Sequence, residues 1–361
     1  MLPLIEIDAP DCRERGRQYG EQARQQIAVS IDFYRGEFER KSGLGWDEVR
    51  RRAPAWVPLI EAYHPDALEE VRGVAEGSGF AFEELLALNG RGELRAGNPF
   101  GADGCTSFAL TAGAAGDGHT YCGQNWDWRV GTKDSVVMLR VKQEPRPTIV
   151  MQVEAGQIGR HGANSAGIGL NANGLEAKFG FGLGVPSPYI RRRILDSHTM
   201  HDALASVMEV NQSMCANLVF THREGYCVDL ETTPERHGVV EPTDGLLVHA
   251  NAFLGQVPAQ IEETYRPSSV DSLYRVPRVE SYLCRARDLG STAEVRALIA
   301  TALSDHFSHP NSVCAHPDPR DGGQWETVAS AVVDLTTGDY LVAAGNPCEH
   351  AYEPLPWNLY E

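Results

Sequence analysis

The sequence predicts an α+β fold in which antiparallel sheets are covered by layers of helices. Three observations predict it. The first hundred residues carry helical periodicity, and the stretch after Cys105 carries short strand-like runs parted by Gly-rich turns. Blocks of helix and blocks of strand then alternate to the end. Strands that follow one another as hairpins, with helices segregated between the blocks, pack as antiparallel sheets under helix layers.

Tyr19, Ala23, Ile27, Ile31, Tyr34 and Phe38 recur every three or four residues, one face of a long helix. Residues 66–76 form a second helix, stopped by Gly77 and Gly79, and 82–89 a short third. Strands are expected at 105–110, 119–126, 136–141, 148–153 and 167–173. Helical stretches follow at 188–198 and 200–210, then strands at 217–220, 226–230 and 246–251. The Pro/Ser-rich stretch 265–278 reads as a loop, and Ser291-Thr292-Ala293-Glu294 is a capping box that opens another helix. Runs 327–335 and 340–345 flank the turn Thr336-Thr337-Gly338-Asp339, a closing hairpin. No repeat or low-complexity tract interrupts this order.

The chain has 361 residues, enough for one large domain or two modest ones, and 42% hydrophobic residues supply a core. A formal charge of −17 argues against nucleic acid and anionic membranes as partners, because phosphate binding needs clustered Lys and Arg. The N-terminal stretch has Glu6 and no basic, apolar signal pattern, and no run approaches the ~18 apolar residues of a membrane span. Eight cysteines stand at 12, 105, 122, 215, 227, 284, 314 and 348 without a CxxC pair. The expectation is a cytoplasmic protein with reduced thiols.

The clearest internal boundary is Gly104-Cys105, where NPFGADG gives way to CTSFAL. A free cysteine is ordinarily a small buried hydrophobe, and seven of the eight are read so. Cys105 differs because glycine precedes it. Gly104 has no Cβ, so its carbonyl is accessible to the neighbouring thiol. Attack gives a thioester, water cleaves it, and Cys105 becomes a new N-terminus. Its α-amine has a reference pKa of about 7.7–8.0 and serves as a general base on the residue that carries the nucleophile.

Further motifs run the length of the chain: GRQYGEQAR (16–24), EEVRGVAEGSG (69–79), LLALNGRGEL (85–94), DGCTSF (103–108), GQNWDW (123–128), GLNANGL (169–175), HAN (249–251), TVAS (327–330) and GNPC (345–348). In this order they resemble the acyl-coenzyme A:6-aminopenicillanic-acid acyltransferase family among the N-terminal-nucleophile hydrolases. The resemblance implies a four-layer αββα sandwich with two antiparallel sheets. It implies self-cleavage into a helical segment 1–104 and a segment 105–361 that carries the catalytic core, intertwined as one domain and remaining together as an α/β heterodimer.

By the same resemblance Cys105 is the nucleophile, Asp127 orients its new α-amine, and Asn251 holds the oxyanion. Thr106, Ser107, Asn125 and Ser330 are expected to support the cleavage site. Related amidases acting on bile salts and penicillin V carry Arg three residues before this Asp, where the chain has Gln124. That speaks against those two activities. Arg191-Arg192-Arg193 reads as a solvated helix face, with a coenzyme A phosphate contact as the alternative.

His306, His309, Cys314 and His316 are the one cluster with metal-like residue types. Nothing distant completes the paired pattern of a zinc site, so no metal and no cofactor are expected. The sequence thus reads as a self-processing cysteine amidase or acyltransferase acting on a small N-acyl amine, amide or thioester. The alternatives are an acyl-coenzyme A-dependent N-acyltransferase of penicillin-synthesis type, a zinc-dependent hydrolase, and an uncleaved binding protein.

Overall fold

The computed structural model describes residues 1–94, 104–175, 183–267 and 269–361. Strand β1 (Leu4–Ile7) precedes helices α1 (Cys12–Gln22), α2 (Arg24–Ser42), α3 (Trp46–Arg52), α4 (Val57–Tyr63), α5 (Pro65–Ser78), α6 (Phe82–Asn89) and α7 (Arg91–Leu94). Strands β2 (Gly104–Leu110), β3 (Tyr121–Arg129), β4 (Val136–Val141), β5 (Ile149–Glu154), β6 (His161–Asn164) and β7 (Ile168–Gly174) follow. Helices α8 (Ser187–Leu195) and α9 (Met200–Met208) lead to β8 (Ala216–His222), β9 (Tyr226–Thr232), β10 (His237–Val240) and β11 (Leu246–His249). Helices α10 (Ser272–Leu283) and α11 (Thr292–Leu303) then precede β12 (Trp325–Asp334), β13 (Asp339–Ala343) and β14 (Glu353–Pro354).

Among the described residues the strands form an eight-stranded sheet, β1-β4-β5-β6-β7-β8-β9-β10, and a six-stranded sheet, β11-β2-β3-β12-β13-β14. β1 pairs with β4 in parallel, and the other pairings are antiparallel. α1, α2 and α8 lie on the eight-stranded sheet, α10 and α11 cover the six-stranded one, and β2 and β3 face β7 across the sandwich. The layering is αββα, as the sequence predicts.

The expected face Tyr19 to Phe38 is buried throughout, but two helices carry it, broken at Ala23, whose φ of −103° leaves the helical range. The second helix runs through Gly77 and stops at Gly79, which adopts φ +81°. Gly77 is needed for packing. α1 and α5 cross so closely that a Cβ on Gly16 would lie 1.9 Å from the Glu70 carbonyl oxygen, and one on Gly73 would lie 1.9 Å from that of Arg13. Gly20 and Gly77 repeat the contact one turn on, with backbone 2.4 Å and 2.1 Å away. Gly73→Ala must push the helices apart and is expected to cost about 3 kcal/mol, the upper part of the overpacking range. Gly36→Ala is the control, because a Cβ there meets nothing within 4 Å. In a helix that change stabilises by up to about 1 kcal/mol. Urea midpoints of the two variants decide it, and equal midpoints would sink the close-packing argument.

Sequence reading missed β1, β6 and β10, whose four residues apiece are too short to show alternation. It also read 265–278 as loop, where α10 begins at Ser272 and continues through Pro277. That correction has consequences for the site.

Candidate active site

The site is built on the start of β2. Across to β3, Gly104 pairs with Asp127, Cys105 with Trp126 and Thr106 with Asn125. Successive side chains of a strand point to opposite faces. Cys105 and Ala109 enter the core between the sheets, whereas Phe108 and Leu110 pack against α10 and α11. The Cys105 thiol, fully buried, is thus on the inter-sheet side with Trp126. The Arg160 guanidinium stacks 3.7 Å over that ring, and His161 meets it edge-on at 5.5 Å.

The backbone of Cys105 is gripped from both sides. Its N–H donates to Asn251 Oδ1 at 2.9 Å, and its carbonyl accepts from Arg275 Nη1 at 2.5 Å. Asn251 lies just past β11, which pairs with β2. Its Nδ2 donates to the Gly174 carbonyl at 3.0 Å, tying the end of β7 to the same point. Arg275 is fully buried on α10. Nη1 also donates to Thr106 Oγ1 at 2.8 Å, and Nη2 to Asn251 Oδ1 at 2.7 Å and Ser272 Oγ at 3.1 Å. Nε lies 2.8 Å from Asp271 Oδ2, an ion pair without hydrogen-bond alignment. A planar fork of donors makes these contacts together, which an ammonium cannot.

Asp127 stands on the helix-facing side, opposite Gly104. Thr327 on β12 donates its hydroxyl to Asp127 Oδ1 at 2.6 Å, and the Ala315 N–H donates to Thr327 Oγ1 at 3.0 Å. A Cβ on Gly104 would come within 2.8 Å of Asp127 Cβ and 3.2 Å of its Oδ2, so only glycine fits beside the carboxylate. Burial pushes the Asp127 carboxyl up to about 6, against the opposing pull of the Arg275 charge and the Thr327 hydroxyl.

A carboxyl raised in the folded state binds its proton more tightly there than when unfolded. Its contribution to stability is full below the unfolded pKa and is lost as pH rises from about 4 to about 6. Asp127→Asn, which mimics the protonated form and still accepts from Thr327, is therefore expected to stabilise the uncut chain at pH 8. The gain is about 3 kcal/mol, the free-energy equivalent of a carboxyl pushed from 3.8 up to about 6. It should vanish below about pH 4. Denaturant melts at both pH values in a Cys105→Ala background measure it, and a destabilised Asn variant at pH 8 would refute the raised value.

The structure therefore gathers Cys105, Thr106, Asp127 and Asn251 around one backbone position. The Asn251 carbonyl oxygen accepts the Cys105 N–H, and its amide donates to the Gly174 carbonyl. Ser107 is on the thiol's face and accepts from Asn173 Nδ2 at 2.9 Å. Asn125 and Ser330 serve packing on the other face. Asn125 Nδ2 donates to the Leu303 and Val313 carbonyls at 2.8 Å each, and Ser330 Oγ reaches Asn125 Oδ1 at 2.5 Å and the Tyr352 hydroxyl at 2.6 Å. Gln124 makes a two-point contact with the Ala172 backbone, at 2.9 and 3.0 Å, and so fastens β3 to β7.

Arg275 escaped sequence reading because it lies in the stretch taken for a loop. The solvated face assigned to Arg191-Arg192-Arg193 is also corrected. Arg192 is buried and bidentate to Glu70 at 2.6 and 2.9 Å, with Asp196 at 3.0 Å. Arg191 is buried as well, and Arg193 donates to the Tyr63 carbonyl at 2.7 Å. Buried acids on α5 and after α8 account for the burial of Arg192.

The family model for acyl-coenzyme A:6-aminopenicillanic acid acyl-transferase matches residues 114–347. The chain belongs to that family. It is 29% identical over 338 residues to the acyl-coenzyme A:6-aminopenicillanic-acid-acyltransferase 40 kDa form of Emericella nidulans, covering 92% of this chain and 90% of that one. Faint likeness extends to two solved structures. One is penicillin V acylase from Agrobacterium tumefaciens, with a TM-score of 0.44 and 13% identity over 66% of this chain and 83% of that one. The other is a variant of conjugated bile acid hydrolase from Clostridium perfringens, with a TM-score of 0.45 and 11% identity over 70% and 97%. The family contains an acyltransferase, and no helix among the described residues is long and apolar enough to cross a membrane.

Proposed function

We propose that the chain is a self-processing cysteine amidase or acyltransferase. One observation carries the reading: the nitrogen that would become the new α-amine is already held by Asn251 Oδ1, in a strand register that places Asp127 opposite Gly104. The Cys105 thiol attacks the Gly104 carbonyl carbon, and the nitrogen leaves with a proton. The resulting thioester is hydrolysed by water, which frees the Gly104 carboxylate. Asp127, costly as a buried anion even with Thr327 and the Arg275 charge in reach, gains an ammonium neighbour.

In turnover the freed amine takes the thiol proton as Sγ attacks a substrate carbonyl, and returns it to the leaving amine. The developing oxyanion needs preorganised donors. Asn251 Nδ2 supplies one once it exchanges Gly174 for the substrate oxygen, and Thr327 keeps Asp127 aimed. The acyl-enzyme passes to water, which makes the chain an amidase for a small N-acyl amine. Transfer from an acyl-coenzyme A to an amine is the second reading, favoured by the activity in the name of the Emericella nidulans relative.

Short-chain and phenylacetyl thioesters and anilides, mixed with the purified chain and quenched, test this. The expected result is an acyl mass increment on the fragment that begins at Cys105, decaying in water. Decay accelerated by an added amine, with N-acyl product, selects the second reading. A folded chain that acquires no adduct from any of them would overturn both.

A further inference from the structure

Far along the chain from Cys105, the loop after α11 and the loop after β13 bring four metal-type side chains together: His306, Cys314, His316 and Cys348. Their ligand atoms all lie within 4.8 Å of one another. Cys314 Sγ is 3.5 Å from Cys348 Sγ, and His316 Nε2 is 3.7 and 3.4 Å from those two sulfurs. His306 Nε2 is 3.1 Å from His316 Nε2. A tetrahedral zinc with bonds of about 2.3 Å to sulfur and about 2.05 Å to nitrogen has edges of about 3.8 Å (S–S), 3.6 Å (S–N) and 3.3 Å (N–N). Four of the six edges match these lengths to within a few tenths of an ångström, and the two from His306 to the sulfurs are within 4.8 Å.

The surroundings suit thiolate ligands. Cys314 Sγ is approached by the Cys348 backbone N–H and by Asn346 Nδ2 at 3.6 Å. His316 Nδ1, the nitrogen turned away from the cluster, faces Glu349 at 3.9 Å. Donors to the sulfurs and a carboxylate behind an imidazole are the outer shell that tunes protein metal sites.

We propose that His306, Cys314, His316 and Cys348 form a tetrahedral Cys2His2 zinc site. Cys348 supplies the distant half that the sequence lacks around His306 and Cys314, so the expectation of no metal there is replaced. Four protein ligands leave no open position for water or substrate, so the site is structural and does not serve a zinc hydrolase. Its placement gives it a task. Ala315, between two of the ligands, donates to Thr327 Oγ1 at 3.0 Å and accepts the Thr327 N–H at 2.9 Å. Thr327 in turn holds Asp127. The metal fastens the loop that steadies the Asp127 carboxylate, with the His309 ring tilted at 44° beside His316 outside the ligand set.

The full chain, purified in reductant without chelator or added metal, is expected to hold about one zinc per chain by elemental analysis. After chelation, cobalt(II) should give thiolate charge-transfer absorption and the intense visible bands of a tetrahedral ion. Cys348→Ser should weaken cobalt binding at least about tenfold, and His309→Ala should leave it unchanged. The wild-type cobalt spectrum stands alone as a test where the serine variant fails to fold. A reduced wild-type chain with less than a tenth of an equivalent of zinc and no tetrahedral cobalt spectrum overturns the proposal. So does a freshly isolated chain that carries a Cys314–Cys348 disulfide, two hydrogens lighter, in place of metal.

Discussion

Cys105→Ala is expected to stay a single chain of 361 residues, whereas the wild type separates under denaturing conditions into fragments 1–104 and 105–361. The variant removes one sulfur from a buried strand position and keeps the backbone bonds to Asn251 and Arg275. Its folding cost is about 1 kcal/mol, too little to unfold a domain of this size. A failure to cut is then a failure of chemistry. Loss of the nucleophile should lower any amidase or acyl-transfer rate by at least about 10³-fold, leaving what binding and oxyanion contacts supply. Cys105→Ser retains a weaker nucleophile in the same place and should cut slowly. Intact mass of the three proteins reads all of this. A wild type that stays whole while folded and active removes the self-processing step from the scheme.

Arg275→Met has the next largest expected effect. The guanidinium is buried among the Cys105 carbonyl, Thr106, Asn251, Ser272 and Asp271. Removing it takes a donor from each of these acceptors and its ion pair from the Asp271 carboxylate, a change that costs about 3–5 kcal/mol at buried sites. Arg275 holds the Cys105 carbonyl and not the thiol, so in the proposed scheme it is a positioning residue. Its charge also pulls the Asp127 carboxyl down against burial, so its loss sends that carboxyl higher. The acid limb of the self-cleavage pH profile should therefore move to higher pH in Arg275→Met. Arg275→Lys, which keeps a charge but loses the fork, should leave that limb near its wild-type place and slow cleavage at least about tenfold. Equal pH profiles for Met and wild type would reduce Arg275 to a packing role.

Much of this was legible in the chain. Gly104-Cys105, QNWDW and LLVHAN mark the strand ends that meet, because a thiol after glycine, a carboxylate and an amide at strand boundaries leave local traces. Arg275 left none. Its helix begins in a Pro/Ser-rich stretch and contains Pro277, so every local rule argues for loop. The burial of Arg192 is equally silent, since Glu70 lies 122 residues away and a short basic run reads as solvent-facing. Cys348 escaped for a similar reason. Its sulfur meets Cys314 only because β12 and β13 fold back as a hairpin, a pairing the spacing of the two cysteines does not reveal.

β12 has one further consequence. It lies between β3 and β13 in the six-stranded sheet, and its Thr327 pairs directly with Asp127, beside a break in the register between Thr327 and Ala329. Those residues belong to the last tenth of the polypeptide. During synthesis Gly104-Cys105 leaves the ribosome more than 200 residues before the strand that steadies its carboxylate partner. In the proposed scheme cleavage is therefore expected to wait until β12 has joined the sheet. A molecule truncated before β12 has the thiol, the glycine and Asp127, yet lacks the part that brings them to readiness.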